Sequence, residues 1–235
     1  MPEPGSNGLT VDPQGRVVFC EHGDRRVSRL EKNGGKKTLV DSYQGKRLNS
    51  PNDLVVKSDD SIWFTDPAYG IESGYEGNRE PMEQEGCHVF RFDPATGDLG
   101  VVSEDFVRPN GIAFSPDESL LYVTDTGNPD HGQKMADMVV FDIGADGTAT
   151  NGRPFTNIHA GGFDGFRLDT EGRIWAGAGP NVECYLPDGT LIGRIKVPET
   201  VSNVCFGGPK RNILYMTGTT SLYAVRLKVN GAKNY

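Results

Sequence analysis

Five short segments carry the residues best suited to chemistry. Each opens on an oxygen-bearing side chain and runs into an apolar stretch: Asn7-Gly8-Leu9-Thr10-Val11, Asn52-Asp53-Leu54-Val55-Val56, Asn110-Gly111-Ile112-Ala113-Phe114, Asp164-Gly165-Phe166-Arg167-Leu168 and Ser202-Asn203-Val204-Cys205-Phe206. Aligned on the apolar residue four places on, Asn7, Asn52, Asn110, Asp164 and Ser202 are equivalent. Amide oxygens and carboxylates are hard donors that suit calcium and, with more waters, magnesium or manganese. The set lacks cysteine and has little histidine, so a closed structural zinc site is not expected. The structural alternative is a copied turn, because Asn-Gly and Asp-Gly both tolerate φ > 0. Recurrence at equivalent positions favours the cation.

The second segment shows what must position such a residue. Ser50-Pro51-Asn52-Asp53 opens an apolar run, Asp59-Asp60-Ser61 supplies turn chemistry, and Ile62-Trp63-Phe64-Thr65-Asp66 returns. The pattern predicts an antiparallel hairpin with Asn52, Asp53 and Asp66 at one end. The segments recur at intervals of about 38 to 58 residues, the range of a propeller blade. Each is followed by further β-rich runs, at 27–30, 89–92, 139–143, 182–186 and 222–227. Four short strands per repeat make one blade. The predicted fold is all-β, a β-propeller with about five blades visible, in one domain spanning 1–235. The repeats are 7–40, 51–105, 109–155, 163–197 and 201–229. In such a fold the innermost strands ring a channel, and the five opening residues face one another across it.

The composition agrees: 31 glycines and 15 prolines suit a turn-dense β architecture. A formal charge of −8 argues against nucleic acid or an anionic membrane as partner. It suits a face that collects a cation. No apolar run approaches the roughly 20 residues of a membrane span, and Met1-Pro2-Glu3-Pro4-Gly5 does not read as a signal peptide. No disulfide framework is implied among Cys20, Cys87, Cys184 and Cys205, which favours a reducing compartment. A cytoplasmic protein is expected, with a periplasmic or secreted one as the alternative; oligomeric state is not readable. Cys20, Cys205 and Trp175 are expected in the core, Asp24-Arg25-Arg26 in a solvated turn, and the tail 230–235 frayed. His22 is either beside the site or a solvated strand-end residue.

Two insertions interrupt the repeats. Ile71 to Gly86 carries Tyr75, Glu76, Glu80, Glu83 and Glu85. It is too long and polar for a hairpin loop, and reads as a lid or substrate wall, or as a mobile surface loop. Gly127 to Asp137 carries Asp130 and His131. His159 has no assigned role.

Ser50-Pro51-Asn52-Asp53, Trp63-Phe64-Thr65-Asp66-Pro67-Ala68-Tyr69-Gly70, Pro109-Asn110-Gly111-Ile112-Ala113-Phe114-Ser115 and Phe163-Asp164-Gly165 with Asp169-Thr170-Glu171-Gly172 together resemble the SMP-30/gluconolactonase/LRE-like family, in particular its bacterial-type gluconolactonases. The resemblance runs from about Asn7 to Leu227. It implies a six-bladed propeller, one divalent cation in the channel and hydrolysis of a sugar lactone. Carried over, Asn110 and Asp164 match metal ligands, Asn52 a residue at metal and substrate, and Asp66 an acid/base. The substrate-binding candidates are Asn52, Asp53, Tyr69 and His22. The metal set is Asn52, Asn110 and Asp164, with calcium first and magnesium, manganese or zinc as alternatives. Two departures stand out. The family's further glutamate ligand, near the start of its first blade, has no counterpart, and five repeats are counted where six are expected. Ser50 stands where animal members carry arginine.

The expected reaction is metal-assisted ester hydrolysis. Asp66 is the first candidate base and Asp164 the second, with Asn52 and the cation stabilising the oxyanion. No Gly-x-Ser-x-Gly elbow is present, which argues against a covalent serine route. The alternatives are phosphotriester or other ester hydrolysis on the same fold, or a non-catalytic scaffold.

Overall fold

A computed structural model describes residues 5–127, 137–157 and 162–233. Close contacts divide the chain into two compact units, with the boundary between Asn110 and Gly111.

The first unit holds two four-stranded antiparallel sheets. β1 (Ser6–Val11), β2 (Val17–Glu21), β3 (Arg26–Leu30) and β4 (Lys36–Val40) pair in chain order. A small hairpin follows, β5 (Ser42–Tyr43) with β6 (Lys46–Arg47). The second sheet is β7 (Leu54–Val56), β8 (Ile62–Asp66), β9 (Cys87–Phe92) and β10 (Leu99–Phe106), again in chain order. The four-residue α1 (Tyr69–Glu72) sits between β8 and β9. The core gathers Val18, Cys20, Leu48, Leu54, Ile62, Phe64 and Phe90. Phe64 stacks on Phe90 at 5.3 Å between ring centres. Burying a side chain of this size contributes roughly 2–3 kcal/mol.

The second unit begins within β11 (Pro109–Phe114). That strand pairs on with β12 (Leu120–Asp125), β13 (Asp137–Ile143) and β14 (Ala149–Asn157). The next sheet is β15 (Phe163–Leu168), β16 (Ile174–Ala178), β17 (Asn181–Tyr185) and β18 (Leu191–Lys196), and the last is β19 (Val201–Gly207), β20 (Ile213–Gly218) and β21 (Leu222–Arg226). Each of these five sheets is a propeller blade that opens on an antiparallel hairpin.

The hairpin turns explain the recurring Asp-x-x-Gly-Arg. Asp12 Oδ1 accepts the Gln14 and Arg16 N–H groups at 3.0 and 2.8 Å, and Oδ2 accepts Arg16 Nε at 2.7 Å. Gly15 supplies φ +77°, which costs a glycine little. Asp169 repeats the clasp on Glu171 and Arg173, and its Oδ2 also takes Trp175 Nε1 at 2.9 Å.

Trp175, half-buried, packs against the core edge-on to Phe206 as expected, its indole N–H held by Asp169. Three expectations are corrected. Cys205 is exposed, because strand alternation turns Val204 and Phe206 inward. Arg25 is 1% exposed at φ +55° rather than solvated. The tail does not fray at 230–232: Ala232 is buried and its N–H bonds Leu168 C=O at 2.9 Å. Asp130, His131 and His159 lie outside the described residues.

Candidate functional site

In the first unit a continuous chain of bonds runs from Gly8 through two of the five opening residues, Asn52 and Asn110. Gly8 N–H donates to Asn52 C=O at 2.7 Å, and Asn52 N–H to Thr65 C=O at 2.8 Å. Thr65 Oγ1 then donates to Asn110 C=O at 2.7 Å. Asn52 and Asn110 are thereby linked through Thr65 at one end of the inner strands, while Asn7, exposed, bonds His22. Asn52 and Asn110 are each 6% exposed. These bonds take both main-chain groups of Asn52 and the C=O of Asn110.

The glycines of the motif are contact residues rather than turn residues. Gly8, Gly111 and Gly165 are absent from the positive-φ positions. A Cβ on Gly8 would meet Asn52 O at 2.5 Å, one on Gly111 would meet Asp164 O at 2.6 Å, and one on Gly165 would meet the Asn203 amide at 2.1 Å. The close approach of one inner strand to the next demands glycine there.

Asp53 stands at the glycine position of its own blade and is 1% exposed. Its Oδ1 accepts Leu54 N–H at 2.9 Å, which sets it between strands rather than on the face. Asp66 is 0% exposed, so its carboxylate lies beneath the face on which the sequence reading set it. Burial pushes its carboxyl up to about 7, while the Asn49 and Ser50 N–H groups and the Arg25 charge pull the other way. Oδ2 accepts Asn49 N–H at 2.8 Å, and Oδ1 is buried without a hydrogen-bond partner. Ser50 Oγ donates to Pro67 C=O at 2.6 Å and accepts Gly70 N–H at 2.9 Å, fixing the turn above.

His22 is buried, with Asn7 Nδ2 2.9 Å from Nε2 and Glu76 Oε2 3.5 Å from Nδ1. With Nε2 accepting from Asn7, the ring proton sits on Nδ1 toward Glu76. Burial pulls the imidazole down to about 4, so it is neutral at pH 7. Burial also raises the Glu76 carboxyl, helped by the charge of Glu72. Tyr69 is half-buried, with the Arg108 guanidinium 5.3 Å from its ring centre.

The insertion 71–86 is fastened down. Glu80 takes Arg25 Nη1 at 2.7 Å and Arg47 Nη1 at 2.8 Å, and Glu83 takes Arg47 N–H at 2.9 Å. Gln84 Nε2 reaches Arg47 C=O at 2.9 Å, and Asn49 Nδ2 reaches Gly86 C=O at 2.9 Å. Its second half is braced against β6, and Tyr75 is exposed.

In the second unit Asp164 opens β15 half-buried, and Thr124 Oγ1 donates to its C=O at 3.2 Å. Ser202 is exposed and pairs with Thr217 Oγ1 at 2.9 Å. The sequence reading missed Thr65 and Thr124. Their signal was a recurring apolar-Thr-Asp at the end of the second strand: Phe64-Thr65-Asp66 and Val123-Thr124-Asp125.

The donor chemistry permits a test of the implied cation. Among the described residues there is no group of three or more His, Cys, Asp and Glu placed to hold a metal. Asn52, Asn110 and Asp164 instead offer amide and carboxylate oxygens. Each of these oxygens, two in the first unit and one in the second, is of the kind an oxygen-preferring cation takes and a soft one does not.

Comparison with known proteins agrees with this architecture. The family model "SMP-30/Gluconolactonase/LRE-like region" matches residues 1–220. A gluconolactonase of Zymomonas mobilis subsp. mobilis is 33% identical over 97% of this chain. The chain spans 65% of that relative's length. A solved gluconolactonase from Xanthomonas campestris superposes with a TM-score of 0.87 at 38% identity, covering 94% of this chain and 72% of the other. Regucalcin from Agrobacterium tumefaciens, described as a calcium-binding protein, shares the fold at a TM-score of 0.58 and 22% identity, covering 100% of this chain and 93% of the other. With the propeller blades and the family match in agreement, the chain belongs to the SMP-30/gluconolactonase/LRE-like family.

Proposed function

We propose that the protein hydrolyses a sugar lactone of the gluconolactone type with the help of one divalent cation, calcium first. The observation that carries the reading is the Asn52–Thr65–Asn110 bond chain, which sets two amide-bearing residues side by side at the ends of the inner strands. Asn52, Asn110 and Asp164 are the proposed donors. A bound cation would polarise the lactone carbonyl and stabilise negative charge on its oxygen. Water adds at that carbon and the ring C–O bond breaks, giving one hydroxy acid per water consumed. Asn52 is the proposed donor, from its amide, to the developing oxyanion. Asp164, half-buried rather than sealed, is the proposed base. Asp66 has no exposed surface and is assigned to holding the Asn49–Ser50 turn. Tyr69, half-buried beside residues 71–86, is the proposed substrate contact, and His22, 1% exposed with its ring nitrogens toward Asn7 and Glu76, is assigned to holding those two residues. The similarity to gluconolactonases supports this substrate class.

The test is product formation from glucono-1,5-lactone, followed by proton NMR against the spontaneous reaction. The free chain should release gluconate well above background, and Asp164→Ala should abolish the cation-dependent part. Unchanged turnover together with unchanged cation affinity in Asp164→Ala would refute the assignment.

A further inference from the structure

A threonine hydroxyl recurs behind two of the proposed cation donors. Thr65 is 0% exposed in β8. Its Oγ1 donates to Asn110 C=O at 2.7 Å and accepts Asp53 N–H at 3.1 Å. Thr124 is 0% exposed in β12, and its Oγ1 lies 3.2 Å from Asp164 C=O and 3.4 Å from Gly111 C=O. In both places the acceptor is the opening residue of the following blade. The remaining blades lack the arrangement. The strand registers put Cys20 and Gly177 at the equivalent positions of the first and fourth blades. Thr217 occupies the position in the fifth, where its hydroxyl turns back on its own blade, accepting Asn203 N–H at 3.0 Å and sitting 2.9 Å from Ser202 Oγ. A buried hydroxyl therefore crosses to the next blade at two positions, and its targets are Asn110 and Asp164.

Holding a residue's carbonyl oxygen fixes the peptide plane that follows it, and with it the direction of the Cα–Cβ bond. An amide or carboxylate oxygen two or three bonds further out inherits that aim. A donor set loosened by a few tenths of an ångström binds less well, because ligand positioning is as much a part of affinity as ligand identity. We propose that Thr65 and Thr124 are positioning residues that fix the main chain at Asn110 and Asp164 and so aim their side-chain oxygens at the cation. This rests on the cation reading above.

The test is calcium titration by calorimetry on the full chain and on Thr65→Val, Thr65→Ser, Thr124→Val and Thr217→Val, each first checked for its native circular dichroism. Valine keeps the shape and removes the hydroxyl. Thr65→Val and Thr124→Val should each weaken calcium binding by about tenfold, the scale of one buried hydrogen bond. Thr65→Ser should return to within about twofold of the unsubstituted chain, because it restores the donor. Thr217→Val should bind calcium normally, since no proposed donor lies beyond it. Calcium affinity unchanged in both valine variants would overturn the inference, as would an equal loss in Thr217→Val. An unsubstituted chain that takes up none of calcium, magnesium or manganese would overturn the cation reading itself, and this inference with it.

Discussion

Asp66 offers a quantitative handle on the packing beneath the face. Burial pushes its carboxyl up from 3.8 to about 7, against the pull of two backbone N–H groups and Arg25. The folded chain therefore holds this proton more tightly than the unfolded one. Such a group's contribution to stability is fully present below pH 3.8 and is lost as the pH rises through about 7. The gap between the two values corresponds to roughly 4 kcal/mol. Asp66→Asn keeps an oxygen acceptor for Asn49 N–H and has no proton to titrate. Its stability relative to the unsubstituted chain should rise by roughly 4 kcal/mol between about pH 4 and pH 8. Any fixed cost of the amide cancels from that comparison. At roughly 2–4 °C per kcal/mol for a chain of this size, the two melting temperatures should move by about 10 °C relative to each other. The assay is thermal unfolding of both proteins, followed by near-UV circular dichroism across that range. A difference constant to within about 0.5 kcal/mol, the size of an ordinary surface effect, would refute the reasoning. The carboxylate would then be ionised throughout, with its burial offset by Asn49, Ser50 and Arg25.

Three further predictions follow from the geometry. His22 should titrate near 4 by imidazole proton NMR, because burial lowers it; its contribution to stability is present above its ordinary value of 6.5 and is lost as the pH falls through about 4, and a midpoint above 6 would contradict its burial. Gly8→Ala and Gly111→Ala should each destabilise by about 2 kcal/mol or more through overpacking, seen as lower urea midpoints. Gly15→Ala, with open space around its Cβ at φ +77°, should cost only about 1 kcal/mol of backbone strain. Of the four cysteines, only Cys205 is exposed, so a thiol reagent should label one rapidly in the native chain and four after denaturation; three or four rapid thiols would contradict the core at Cys20, Cys87 and Cys184.

The hairpins were legible because their cause is local. Apolar alternation and the Asp-x-x-Gly turn specify β1–β2 and β15–β16 without help from distant residues, and the Asp12 and Asp169 clasps show the means. The family resemblance was likewise carried by whole motifs. What could not be read was depth. Asp66 ends its strand in an ordinary way, and its burial under a turn bonded to it at Asn49 comes from a segment 17 residues away. Arg25 sits in a charged triplet that looks solvated, yet Leu48 C=O and Glu80 converge on its guanidinium from 23 and 55 residues away. The motif glycines were ambiguous for a related reason: Asn-Gly suits a turn, and the neighbouring strand that excludes a Cβ at Gly8 and Gly111 comes from a different repeat. Thr65 and Thr124 were overlooked because threonine is ordinary in a strand, and only the partner across the blade boundary distinguishes them.

The central claim is a cation-assisted lactonase, and acid release from glucono-1,5-lactone in a pH-stat tests it most directly. The chain is treated with chelator, then supplied with calcium, magnesium, manganese or zinc, with spontaneous ring opening subtracted throughout. Hydrolysis should vanish with chelator and return with an oxygen-preferring cation, calcium first, which would make Asn52, Asn110 and Asp164 a competent donor set. Full turnover in the presence of chelator, or none with any of the four metals, would contradict it.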